Sequence, residues 1–465
     1  MIVGMRVLLA LVLVLLLAAA GAFFVAGRAA GPAIDLRQPD GVLGRTGLLE
    51  VVARAPGANL SRLDVTLEQE GRSYPLFSLP GGAESKILQD GEDGMKVTRR
   101  LASRDLKGLR SGPARITVHA ARPVLFGLRT AEAQGAREIQ VRLEPPRVAV
   151  LSRFHFVNHG GSEVVVYRAT PADVESGVRV GDRVYPGFPA SGAGIADADG
   201  TLRVAFFALL YDQDLATPVT VYARDAAGNQ ARAMFDLRVF PKPFRRSRID
   251  VDDAFLGRVV PAILEHTPDL AVDDPNDLVQ AFLAVNGALR RRNAQAIADL
   301  ARKTTPKVLW EGSFAQLGNS AVQSSFADHR TYFYNGKEID QQVHLGFDLA
   351  VTASVPVSAA NRGTVVFADY LGIYGNCVIL DHGMGVQSLY AHLSSLGVTP
   401  GDAVEKGQEL GRSGTTGLAG GDHLHFTMLV GGQPVTPVDW WSAQWIEDRI
   451  LRKFREAGAP AAAAQ

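Results

Sequence analysis

Val343-His344-Leu345-Gly346-Phe347-Asp348, Tyr390-Ala391-His392-Leu393 and Asp422-His423-Leu424-His425-Phe426 bound a window, His344 to His425, that holds five of the chain's ten histidines. A strand sends residues i and i+2 to one face, so His423 and His425 project together while Leu424 and Phe426 turn away. His344 and Asp348 share a face in either a helix or a strand, and Gly346 between them favours an extended, tightly turned backbone. Imidazole and carboxylate are ligands for a borderline-soft divalent ion, and catalytic zinc keeps three protein ligands and one open position. His344, Asp348 and His425 are the candidate ligands, which leaves His392 and His423 near the open position to handle protons. Spacing alone leaves a second reading open, in which these are ordinary structural histidines of half-buried strands.

His344-x-x-x-Asp348, His392 after Tyr390-Ala391, and His423-x-His425 resemble the motifs of the lysostaphin and LytM-type zinc endopeptidases. Asn376-Cys-Val-Ile-Leu-Asp-His-Gly383 is similar to that family's central hairpin, and Pro400 to Gly411 followed by Ser413-Gly-Thr-Thr-Gly417 to its turn-rich return. The resemblance covers residues 306–442 and departs at Ala327-Asp328, where relatives often carry glycine. It implies an antiparallel β peptidase domain of duplicated hybrid motif type. It also implies Zn2+ on His344, Asp348 and His425, His392 with His423 as the catalytic pair, and peptidoglycan peptides as substrate.

Lys+Arg and Asp+Glu both total 48, so the clustered basic excess of a nucleic-acid binder is missing and no such partner is expected. The chain's 465 residues suggest several domains. Val7 to Gly27 is free of charge and proline, and as a helix it measures about 32 Å against a hydrocarbon core of about 30 Å. Ala20-Gly-Ala22 offers a signal-peptide cleavage site, but Phe23-Phe-Val25 prolongs the apolar run and favours an anchor. The expectation is a single-pass protein of the cytoplasmic membrane with its body in the periplasm or cell-wall space.

The fold expected is multidomain and mainly β. A transmembrane helix (1–32) precedes two β-sandwich, immunoglobulin-like domains (33–145 and 146–241). In the second, Val219 to Arg224 and Phe235 to Val239 read as a hairpin, and His155 and His159 as surface or loop residues. A helical linker region (242–305) begins at the exposed Pro241 to Ser247. It contains one stripe of Phe255, Val259 and Ile263, another of Leu278, Phe282, Val285 and Leu289, and a further short helix from Ala294 to Arg302. The peptidase domain (306–442) and a terminal helix and tail (443–465) complete the chain. Cys377, the single cysteine, lies in a strand-like run and reads as packing rather than as a nucleophile. The function expected is a membrane-anchored zinc endopeptidase cutting stem peptides or cross-links, with proteins of the divisome or of wall synthesis as candidate partners. The alternative is a non-catalytic regulator of another wall hydrolase.

Overall fold

The computed structural model describes residues 2–55, 59–80, 86–90 and 93–458. It divides into two compact units, residues 1–145 with 224–230, and residues 146–223 with 231–465. Apart from one N-terminal apolar helix and a few others, the chain is mainly β.

In the first unit, the helix Ile2–Ala26 is long and apolar enough to cross a membrane, a test that a signal sequence also passes. A four-stranded and a five-stranded sheet follow. Alternation builds their shared core: Leu63, Val65 and Leu67 from strand Arg62–Gln69 pack with Ile116 and Val118 of one sheet and with Val51, Ala53 and Val97 of the other.

Val219–Arg224 has Gln230–Met234 as its neighbour, not the expected Phe235 to Val239. Leu237–Phe240 instead pairs in parallel with His155–Asn158. Both stretches alternate, so period alone could not choose between them; the exchange is pinned where the Asp236 carbonyl takes His155 Nδ1 at 3.2 Å. His155 is therefore buried rather than a surface residue.

Residues 242–305 begin with a strand. Arg246–Val251 pairs in parallel with Asp328–Tyr334, and Val251 is buried. Asp252 caps the helix Asp253–His266 by accepting from Phe255 N at 2.8 Å, and Asp277 caps the next by accepting from Val279 N and Gln280 N. That second helix is continuous, running from Leu278 through a π segment, Val285–Leu289, into Arg290–Leu300, so the expected separate short helix is its continuation. Val259 and Phe282 pack on Tyr332, Leu289 on Ile373, and Ile297 on Cys377, Ile379 and Leu389.

The sheet that carries His392, His423 and His425 has the order Ala321–Ser324, Phe347–Ala350, His423–Val430, Val386–Leu393, Asn376–Gly383, Gly363–Tyr370, Ala403–Val404, with every pairing antiparallel. Cys377 is fully buried in it and burial pushes its thiol pKa up, which suits packing and not nucleophilic attack. Helical turns then run from Ala443 to Gly458; Phe454 meets Phe206 edge-on, and Lys453 makes a buried ion pair with Glu163 at 2.6 Å. Of the expected tail, Gly458 to Gln465, Gly458 ends the helix and residues 459–465 lie outside the described residues.

One buried histidine of this sheet gives the fold an acid limit. His382 is fully buried between the Arg362 carbonyl and Ser388 Oγ, both at 2.7 Å, and burial pushes its pKa down to about 4 despite the carbonyl's opposing pull. With an unfolded value near 6.5, the unfolded chain binds the extra proton first. The stability tied to the neutral ring is present above about pH 6.5 and is lost as pH falls toward about 4, on the order of 3 kcal/mol in total. Urea midpoints at pH 7 and pH 5 should therefore differ less in His382→Gln than in the wild type; equal differences would contradict this assignment.

Candidate metal centre

Strand pairing assembles the site. Asp348 on Phe347–Ala350 lies directly opposite His425 on His423–Val430, and Ala350 opposite His423. On the other side Ala391 stands opposite His425, which brings the following residue, His392, to the same end of the sheet. His423, His425 and Thr427 share one face while Leu424, Phe426 and Met428 enter the core on the other. His344 ends the strand Lys337–His344, opposite Asp328. Gly346 is required for closeness: a Cβ there would lie 2.5 Å from both His425 Nε2 and Thr427 Oγ1.

The structure brings His344, Asp348 and His425 to one point. His344 Nε2 is 2.9 Å from Asp348 Oδ1 and 3.0 Å from His425 Nδ1, and His425 Nδ1 is 3.1 Å from Asp348 Oδ1. Their outer partners fix the tautomers. His344 Nδ1 faces the Ser325 carbonyl at 3.2 Å, so it carries the proton. Thr427 Oγ1 spends its proton on the Leu345 carbonyl and must accept from His425 Nε2 at 3.0 Å. Burial opposes ionisation of Asp348, but His344, His423 and His425 around it hold its carboxyl well below the usual range. Three lone-pair atoms thus face one another with no proton assigned between them, an arrangement that calls for a cation. Their spacing is close to the ~3.3 Å edge of a tetrahedron with ~2.0–2.1 Å bonds to nitrogen and oxygen, so the residues fit zinc.

His423 and His392 stand beside this cluster. His423 Nε2 is 3.3 Å from Asp348 Oδ1, and its Nδ1 donates to the Gly421 carbonyl at 2.8 Å. The His392 ring is 4.8 Å from that of His423, and its Nδ1 donates to the Thr416 carbonyl at 2.8 Å. Burial, then the neighbouring His423 and His425, keep His392 well below the ordinary imidazole value and so neutral. Burial also lowers His423, but Asp348 outweighs it and raises the pKa overall. His392 has φ +63, a left-handed backbone that a residue of this kind rarely adopts and that recurs at functional sites.

Several supporting residues carried no sequence signal. Arg330 Nη2 holds Asp348 Oδ2 at 2.9 Å and Ser324 Oγ at 2.8 Å, leaving Oδ1 to face the histidines. Asp328 accepts from Ser247 at 2.8 and 2.9 Å and from Ser324 at 3.2 Å. Ala327 takes φ +60.

Residues 342–437 match the family model described as Peptidase family M23. The chain is 41% identical over 97 residues to DD-carboxypeptidase/endopeptidase Mpg of Neisseria meningitidis serogroup B, covering 21% of this chain and 22% of that protein. It is 39% identical over 92 residues to peptidoglycan DD-endopeptidase ShyA of Vibrio cholerae serotype O1, covering 20% and 21%. The chain therefore spans about a fifth of the length of these relatives. Among solved structures, a putative peptidase M23 from Pseudomonas aeruginosa aligns with a TM-score of 0.37 at 19% identity, over 61% of this chain and 94% of that one.

Proposed function

From the peptidase family M23 domain that this chain carries in residues 342–437, we propose that the protein is a zinc-dependent endopeptidase acting on the peptide part of bacterial peptidoglycan. The observation that carries this reading is the convergence of the unprotonated His344 Nε2, His425 Nδ1 and Asp348 Oδ1 within 2.9–3.1 Å in the lining of one cleft. The name of one of these relatives, peptidoglycan DD-endopeptidase ShyA, supplies the substrate class.

His344, Asp348 and His425 are the proposed ligands. Zinc held there supplies a Lewis acid that polarises a peptide carbonyl and acidifies water to a pKa of about 7. His392, neutral and fixed by Thr416 with Nε2 left as a lone pair, is suited to accept a proton. His423, whose charged form Asp348 favours, is suited to donate toward a developing oxyanion. Arg330 and Thr427 orient Asp348 and His425. Residues 1–32 serve as the membrane anchor, the β regions 33–145 and 146–241 are of immunoglobulin type, and the peptidase works outside the cytoplasmic membrane.

The test is digestion of purified sacculi by the full chain in detergent, with released fragments identified by mass. New amino termini within the peptide part are expected and name the bond; glycan fragments without new amino termini overturn the reading.

A further inference from the structure

Arg290 stands in the wall of the cleft, about 440 Å3, that also holds His344, Asp348, His392 and His425. It lies outside residues 342–437, so the family match says nothing about it. Its guanidinium is set before any ligand arrives: Nε donates to the Asn286 carbonyl at 3.2 Å and Nη2 to Asn286 Oδ1 at 2.7 Å. Asn286 is itself fully buried and held by Asp340, with Nδ2 to Oδ2 at 2.8 Å. Both bonds fall at the π segment Val285–Leu289, a distortion that recurs where a helix carries a functional group. Asn286 is a neutral partner, and among the described residues Arg290 makes no direct ion pair with a carboxylate. The cleft's other arginine differs, because Arg330 is spent on Asp348. The same helix also sets the wall beside the metal centre: Asn293 Oδ1 accepts from Ile373 N at 3.0 Å, and the next residue, Tyr374, places its ring 5.6 Å from that of His425.

The geometry points to Arg290 as a carboxylate-binding subsite, which pairs with a free carboxylate of the peptide whose scissile bond lies at the metal centre and so decides which wall peptides are cut. This rests on the endopeptidase reading above. A guanidinium is suited to planar pairing with a carboxylate, and a charge-assisted hydrogen bond of this kind is worth about 10- to 100-fold in affinity.

The test uses the zinc-loaded full chain and a cross-linked wall peptide whose free carboxylates are converted to carboxamides one at a time. Two quantities are read: kcat/KM for cleavage, and equilibrium binding of the corresponding uncrosslinked peptide, which has no cross-link to cut. The wild type is expected to prefer the free acid at one position by about 10- to 100-fold in both. Arg290→Gln loses that preference at unchanged zinc content, and Arg290→Lys keeps part of it. Indifference of the wild type to amidation at every position overturns the subsite, and this arm needs no variant to fold. A preference retained in Arg290→Gln, or an equal loss on acid and amide, also overturns it. Cleavage of acid and amide at equal rates leaves the endopeptidase standing without the subsite. An Arg290-dependent binding preference with no cleavage leaves the subsite standing without the endopeptidase.

Discussion

His425→Ala is expected to yield a folded protein that carries no zinc and releases no fragments from sacculi. His425 is one of the three proposed ligands, and its strand is paired on both sides, to Phe347–Ala350 and to Val386–Leu393, so the sheet holds its ring in place. Alanine removes one donor of three while the ring's neighbours, Asp348 and His344, keep their own supports in Arg330 and Ser325. Loss of an outer-shell partner alone typically lowers metal affinity about 10- to 100-fold, so loss of a ligand should exceed that. The sheet should survive because Leu424 and Phe426, on the opposite face, carry the packing. Metal analysis decides the matter: undiminished zinc in His425→Ala removes this residue from the ligand set, and His344→Ala should behave as His425→Ala does.

His392→Ala is expected to separate chemistry from metal binding. His392 is not among the converging donors, and its Nδ1 is tied to Thr416, so zinc content should stay near that of the wild type. A group that handles a proton in the transition state is typically worth about 100-fold to 10,000-fold in turnover, and kcat should fall by that much. Because the backbone at His392 is left-handed, His392→Asn is the folding control, asparagine being more at ease there. In cells, a non-catalytic regulator would keep its shape in the variant and still support a partner hydrolase. Full restoration of the wall phenotype by His392→Ala, at expression matched to the wild type, would therefore defeat the catalytic reading.

The convergence of the five proposed site residues was legible because its signals are local. A His-x-His pair on a period-two strand can point only one way, and the small spacing between His344 and Asp348 survives the turn at Gly346. What supports them was not legible, because it depends on pairings between stretches far apart in sequence. Arg246–Val251, masked by flanking prolines and arginines, finds its parallel partner in Asp328–Tyr334, and only then does Ser247 reach Asp328 and the Arg330 network. Two alternating stretches competed for the hairpin after Val219–Arg224, and a carbonyl to a buried histidine, not periodicity, pins the choice. The helix from Leu278 was visible through its apolar stripe, whereas the π segment that precedes Arg290 leaves no mark on a 3.6-residue period.

If the site needs zinc to cut wall peptides, restoring the metal restores cutting. The full chain, stripped of metal and then given increasing zinc up to one equivalent, is incubated with sacculi, and new peptide amino termini are counted by mass. None is expected from the stripped protein, and the number is expected to rise in proportion to zinc until one ion per chain is bound. Release that is undiminished without metal, or one tightly bound zinc with no new amino termini, would contradict this expectation.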